Sequence, residues 1–320
     1  MEKRFEFVDA LRGMAVLLVV AQHIVERIDP DFLLLRFCNF GRTGVILFFV
    51  ISGYVVPMSI KGQRPVHGFF RSRAFRLLPA LWLSIAAELA INGMRAPQVV
   101  LANMAMLAGP LHVEPLSGVY WTLTYELFFY VYCGVLFSAK LLYVPRISGI
   151  FGIALTMIAV GFGNEDFSFF AYLLLGHLLR LAGQDDTRGA RRWAGALMVA
   201  LLVADANLAA RVQYDPLFSP TALFVAMTAP VLGFLLAARM RRIAITPLLW
   251  LGSISYSIYL FHGLVLASLA FLAVPAPLLF AASVIAGTLA SAALVYNGVE
   301  KPFITLGRKG RVALPTAQAI

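Results

Sequence analysis

The feature that most constrains this chain is its first apolar segment, residues 8–28. Its length matches the roughly 20 residues that a helix needs to cross a bilayer. Yet Arg12 stands near its start and His23 deep inside it. Eleven residues at about 100° each bring His23 back to within roughly 20° of Arg12, so the two share one helix face, about 16 Å apart along the axis. Ionisable groups inside a membrane helix are costly and turn toward a cavity or a partner rather than toward lipid. The rest of the chain is therefore expected to build a cavity around this face.

The remaining sequence supplies the material. Ten spans can be drawn, at 8–28, 43–60, 77–93, 119–139, 147–163, 168–183, 193–209, 218–238, 248–272 and 276–298. A shorter apolar piece, 99–108, reads as a re-entrant or interfacial helix. With 61% hydrophobic and 13% charged residues, the chain falls outside ordinary soluble composition. The fold class expected is an all-α, polytopic membrane bundle of about ten transmembrane helices. Residues 1–303 form one integral domain, followed by a short cytoplasmic tail, 304–320. The first span does not read as a cleaved signal peptide, because a mixed-charge start precedes it and Arg12 interrupts it.

The net charge of +10 would suit nucleic acid, but its distribution argues against that partner. Of the 26 basic residues, twenty fall in loops on the side of the N terminus and five on the other, with Arg12 inside a span. By the positive-inside rule both termini are cytoplasmic, and most of the charge is a topology signal. Cys38 and Cys133 stand in no metal-ligand spacing, and no metal is expected.

His23 lies beyond the midplane, toward the outer side, by its distance from the inner end of its span. Histidine suits a general base or nucleophile near neutrality; the alternative is a packing histidine bonded to a neighbouring helix. Glu126 sits at the same depth on the fourth span, and a carboxylate there would orient the imidazole and balance its charge. Glu26 is the rival carboxylate, three residues after His23 on an overlapping face. His262 reaches the same level on a later span, where Ser253, Ser255 and Ser257 alternate with apolar residues. His177 reads as structural. In the inner loop, Arg73 and Arg76 share a helix face and can clamp phosphate by forked hydrogen bonds, whereas Arg71 is left to topology. Ser52 and Gly53 lie in mid-membrane, where small residues permit close helix approach or let a ligand pass near the backbone.

Taken in order, the motifs resemble those of the acyltransferase-3 family of integral membrane O-acyltransferases. They are Asp9-Ala-Leu-Arg12-Gly with His23 eleven residues beyond Arg12; Gly44-Val-Ile-Leu-Phe-Phe-Val-Ile-Ser-Gly53-Tyr; Arg73-Ala-Phe-Arg76-Leu-Leu-Pro79; Trp121-Thr-Leu-Thr-Tyr-Glu126-Leu-Phe-Phe-Tyr130; Ile254-Ser-Tyr-Ser-Ile-Tyr-Leu-Phe-His262; and Val299-Glu300-Lys-Pro302. The resemblance implies a ten-helix domain in a bacterial inner membrane. It would take an acyl group, usually acetyl, from cytoplasmic acyl-CoA and pass it to a hydroxyl of an exopolysaccharide, an O-antigen, a lipid-linked sugar or a small glycoside. It carries essential roles onto His23 and Arg12 and donor handling onto Arg73 and Arg76. Glu126 joins them as a catalytic candidate on the depth argument, while Ser52, Gly53, Trp121, Tyr130 and His262 are expected around the pocket. Many relatives append a soluble esterase-like domain, for which this chain leaves no room. An exporter or permease for a lipid-linked sugar or small acid is the alternative reading, since intramembrane His, Glu and Arg also suit a transport path. A structural subunit of a polysaccharide-synthesis complex is a third.

Overall fold

The computed structural model describes residues 6–61, 66–184, 188–211, 218–240, 245–271 and 276–308. Among the described residues, ten helices of seventeen residues or more coincide in position with the segments drawn as spans. They are α1 (Glu6–Ile28), α2 (Phe40–Lys61), α3 (His67–Asn92), α5 (Trp121–Ser138), α6 (Pro145–Phe162), α7 (Asp166–Ala182), α8 (Arg188–Arg211), α9 (Pro220–Met240), α10 (Thr246–Phe271) and α11 (Pro277–Val295). The expected short piece is α4 (Pro97–Met104). Eight of the helices are long and apolar enough to cross a bilayer. The two outside that set are α5, which carries Glu126 and four aromatic hydroxyl or indole side chains, and α7, with 17 residues. The post α7 is walled by protein: Leu173, Leu174 and Leu175 are wholly buried, with α2, α6 and α8 packed around it. Apolar side chains left outside, such as Val203, Leu236 and Leu294, make the lipid-facing surface of a multi-pass integral membrane protein.

Small residues fix the crossings that frame the cavity. A Cβ added at Gly13 of α1 would lie 2.3 Å from the Leu248 carbonyl oxygen of α10, and one at Gly252 of α10 would lie 1.9 Å from the Asp9 oxygen. The α1 and α10 backbones therefore touch. Gly53 of α2 and Gly176 of α7 make the same kind of contact, against Leu173 and Val50. Gly53 is thus a packing residue and not part of a ligand pocket, as van der Waals packing between membrane helices demands.

Two boundaries differ from expectation. The basic stretch before residue 77 is no loop: α3 begins at His67, so Arg71, Arg73 and Arg76 stand on its first turns. At the other end, α11 passes into a π turn (Tyr296–Glu300) and then α12 (Lys301–Arg308). The beginning of the expected tail is therefore helical. It packs on α3, with Phe303 against Phe75 at 6.2 Å. Residues 309–320 lie outside the described residues, as do Lys3, Arg4, Arg64, Arg241 and Arg242 among the topology signals.

Candidate active site

A cavity of about 280 Å³ opens between α1, α2, α3, α5 and α10. Arg12 enters it from α1, and Arg73 and Arg76 from α3; Asp9, Ser52, Thr122, Glu126, Ser255, Tyr256 and Tyr259 complete its polar lining. Among the described residues, none of the three arginines makes an ion pair. Arg73 instead stacks over the rings of Phe69 and Tyr130, at 5.7 and 5.6 Å, and its Nε is buried without a hydrogen-bond partner. Guanidinium groups left unpaired in an apolar bundle favour an anion. Arg71, by contrast, is exposed.

Asp9, which also lines the cavity beside Arg12, and two further carboxylates set the field in which these arginines sit. The Tyr130 hydroxyl donates to Glu126 Oε1, which fixes Glu126 on the cavity wall. The second is Glu300, brought inward by the π turn to 2% exposure. Ser257 Oγ donates to its Oε2 at 2.8 Å, and its charge acts on Arg76 and Arg12. A π turn inserts a residue and re-aims the side chains that follow, and such turns are frequent at functional sites. Glu300 belongs to the closing motif of the sequence, where no role was expected of it; a carboxylate ending a long apolar span is the signal that marks it.

The cavity ends at a layer of side chains. The Tyr259 hydroxyl reaches Thr122 Oγ1 at 2.9 Å and donates to the Val119 carbonyl at 3.2 Å. Phe48 meets the Tyr259 ring edge-on at 6.0 Å. On the far side of Tyr259, His262 lies with its ring centre at 6.0 Å and stacks on His23 at 5.4 Å. His23 and His262, expected at one depth, thus stand together, but neither histidine lines the cavity. The expected passage from the arginines to His23 is closed at this layer.

The carboxylate on His23 is Glu26, not Glu126. His23 Nδ1 lies 3.0 Å from Glu26 Oε2. A carboxylate only accepts, so Nδ1 carries the proton and Nε2 presents its lone pair. Glu126 shares the level of His23 but faces the cavity on the other side of the Tyr259 layer, which equal depth alone does not distinguish. His262 is 1% exposed and donates from Nδ1 to the Ile258 carbonyl at 3.2 Å, leaving Nε2 without a partner.

Other pocket expectations need correction. Trp121 packs among Phe49, Tyr125 and Phe169, and Tyr130 stands in the wall behind Glu126; neither reaches the cavity lining. Ser52 does. The three alternating serines do not share one strip, because alternate residues diverge on a helix. Ser253 is bonded to its own helix, Ser255 lines the cavity and Ser257 holds Glu300. His177 is buried against Ser148 at 3.1 Å, in keeping with its structural reading.

The described residues form an all-helical membrane bundle, the fold class that the motifs implied, with an arginine-lined cavity inside it. Residues 5–297 match the family described as an acyltransferase domain, Acyl_transf_3. The chain belongs to that family and is a membrane-bound O-acyltransferase. Its relatives include the exopolysaccharide production protein ExoZ of Rhizobium meliloti (strain 1021), 30% identical over 301 residues that cover 85% of this chain and 92% of ExoZ. BcsY of Komagataeibacter xylinus, named as a membrane-bound transacylase, is 28% identical over 300 residues, covering 82% of this chain and 73% of BcsY. Nodulation protein 10 of Rhizobium leguminosarum bv. viciae matches over 117 residues at 32% identity, 29% of this chain and 32% of that protein. No solved structure matches the chain.

Proposed function

We propose that the protein takes an acyl group, acetyl in the first instance, from acyl-CoA and transfers it to a hydroxyl of an exopolysaccharide or its lipid-linked precursor. The supporting observation is the cavity itself: Arg12, Arg73 and Arg76 face it without ion-pair partners among the described residues, one side-chain layer away from a histidine whose tautomer Glu26 sets. The exopolysaccharide acceptor is suggested by the name of ExoZ. The basic face of the chain lies toward the cytoplasm of a bacterial inner membrane, with both termini there, as the distribution of Lys and Arg argues.

Acyl-CoA phosphates then meet Arg73 and Arg76, and the pantetheine arm passes Arg12. The Phe48–Tyr259 layer must part for the thioester to reach His23. His23 Nε2 takes the proton of the acceptor hydroxyl as its oxygen attacks the thioester carbonyl. The C–S bond breaks, and the proton returns from Nε2 to the departing CoA thiolate. In the two-step variant, Nε2 attacks the thioester carbonyl, the C–S bond breaks and CoA leaves as thiolate; the acceptor oxygen then displaces the imidazole from the acyl carbon, and the hydroxyl proton passes to the thiolate. Glu26 stabilises the charged imidazole in either route.

The test is release of CoA by purified protein given acetyl-CoA and a lipid-linked oligosaccharide, with thermal stabilisation by CoA measured alongside. His23→Ala is expected to retain CoA stabilisation and lose turnover. Wild-type protein that neither binds CoA nor releases it on addition of acceptor would exclude acyl-CoA as the donor.

A further inference from the structure

The first span carries a buried polar residue that the mechanism does not use. Gln22 is 2% exposed, and its amide bridges two helices. Its Oε1 accepts from the backbone N–H of Phe40 at 2.8 Å and of Gly41 at 3.4 Å, the first amides of α2. Those two donors fix the amide's orientation, since only an oxygen can face them. Its Nε2 must then point the other way, where it donates to Glu26 Oε1 at 2.8 Å. Glu26 uses its other oxygen for His23 Nδ1. Gly41 makes room for this arrangement: a Cβ there would lie 3.1 Å from Gln22 Cγ. The chain of bonds thus runs from the start of α2 through Gln22 and Glu26 to the imidazole.

We infer that Gln22 is a positioning residue for the transfer: it ties the Glu26 carboxylate to α2, so that the His23 ring is held with Nε2 as its reacting nitrogen. Glu26 sits on the partly exposed surface of α1, with 30% of its side chain open. An untethered carboxylate there has other rotamers and loses side-chain freedom when it is held. Gln22 replaces that search with a fixed geometry, at the cost of burying an amide whose hydrogen-bonding groups are all directed. This inference rests on the acyltransferase reading above and adds to it the reason His23 stays in register.

Gln22 has a second job, capping α2, and one substitution separates the two. Gln22→Glu keeps oxygens for the Phe40 and Gly41 amides, where an anion at a helix N-terminus is favourable. It removes the donor to Glu26 and sets two carboxylates against each other. Thermal stability near that of wild type, unchanged KM for acyl-CoA and a kcat lower by about tenfold or more are expected. The exchange Gln22→Glu/Glu26→Gln restores every bond with donor and acceptor roles swapped. Residue 22 accepts from α2 and from the new amide at 26, whose oxygen accepts from His23 Nδ1. Its kcat is expected to exceed those of both Gln22→Glu and Glu26→Gln. Asn39→Ala, which removes the side-chain oxygen that caps the Arg42 amide, weakens the same helix start and is expected to leave kcat unchanged.

Wild-type kcat in Gln22→Glu, or an exchange variant no faster than Glu26→Gln alone, overturns the inference and leaves Gln22 a cap. If Gln22→Glu does not accumulate, the exchange variant against Glu26→Gln decides. Wild-type protein that releases no CoA defeats the acyltransferase reading itself, a separate outcome.

Discussion

Replacing Glu26 by Gln isolates the bond that sets His23. The side chain keeps its size, but the amide no longer carries the charge that balances a protonated imidazole. A hydrogen bond to a charged group contributes about 1.5–3 kcal/mol. Glu26 is 30% exposed and His23 42%, so solvent screens part of that energy and the low end applies. About 1.5 kcal/mol corresponds to roughly a tenfold fall in kcat. The assay is steady-state CoA release in proteoliposomes, with acyl-CoA varied at saturating acceptor. Glu126→Gln is the paired measurement. Glu126 lines the arginine cavity and is bonded to Tyr130, so its loss is expected to change KM for the donor more than kcat. A Glu26→Gln enzyme with normal turnover, beside a Glu126→Gln enzyme that binds donor but does not react, would reverse the assignment of the two carboxylates.

Arg73→Ala and Arg76→Ala are expected to raise KM for acyl-CoA about tenfold or more each, since each removes charge-assisted bonds to phosphate; equal donor affinity would confine the pair to topology. Arg73→Lys should rescue poorly, because an ammonium lacks the planar fork and the stacking on Phe69 and Tyr130; full rescue would show that a point charge suffices. Tyr259→Ala opens the layer between cavity and histidines and is expected to admit longer acyl chains, read from relative kcat/KM for acetyl-CoA and octanoyl-CoA; an unchanged ratio would place the acyl group elsewhere. Glu300→Gln removes an anion that competes for Arg76 and Arg12 and should tighten CoA binding several-fold, measured by calorimetry; weaker binding would mean that Glu300 holds the arginines in place instead.

Much of this site was readable from spacing. The eleven-position step from Arg12 to His23 placed both on the face of α1 that turns toward α10, because helix geometry is local and periodic. The three-residue step from Arg73 to Arg76 put both into one cavity for the same reason. What the sequence left open was azimuth. Glu126 and His23 share a depth, yet depth says nothing of which neighbour a helix turns toward, and Glu126 faces the arginines. The π turn before Glu300 was hidden because one extra residue in a turn leaves no mark in an apolar run. Trp121 was expected beside the ligand, and Gly53 either there or in close helix packing; both serve packing, since a motif preserves a backbone approach as readily as a binding contact. The blocked passage at Tyr259 depends on side-chain bonds to Thr122 and Val119, across 137 and 140 positions of chain.

The way α1 meets α10 has a consequence for genetics. The atom that a methyl group at Gly252 would strike is the Asp9 carbonyl oxygen, and the atom opposite Gly13 is that of Leu248. Every residue type carries that oxygen, so no compensating mutation at position 9 or 248 can clear the obstruction. At Gly134 the obstacle is the Phe70 ring, and at Gly149 it is the Trp193 indole; trimming either can relieve the clash. A revertant screen begun from Gly252→Ala should therefore return only true reversions or changes that shift a whole helix. One begun from Gly134→Ala should yield small residues at position 70.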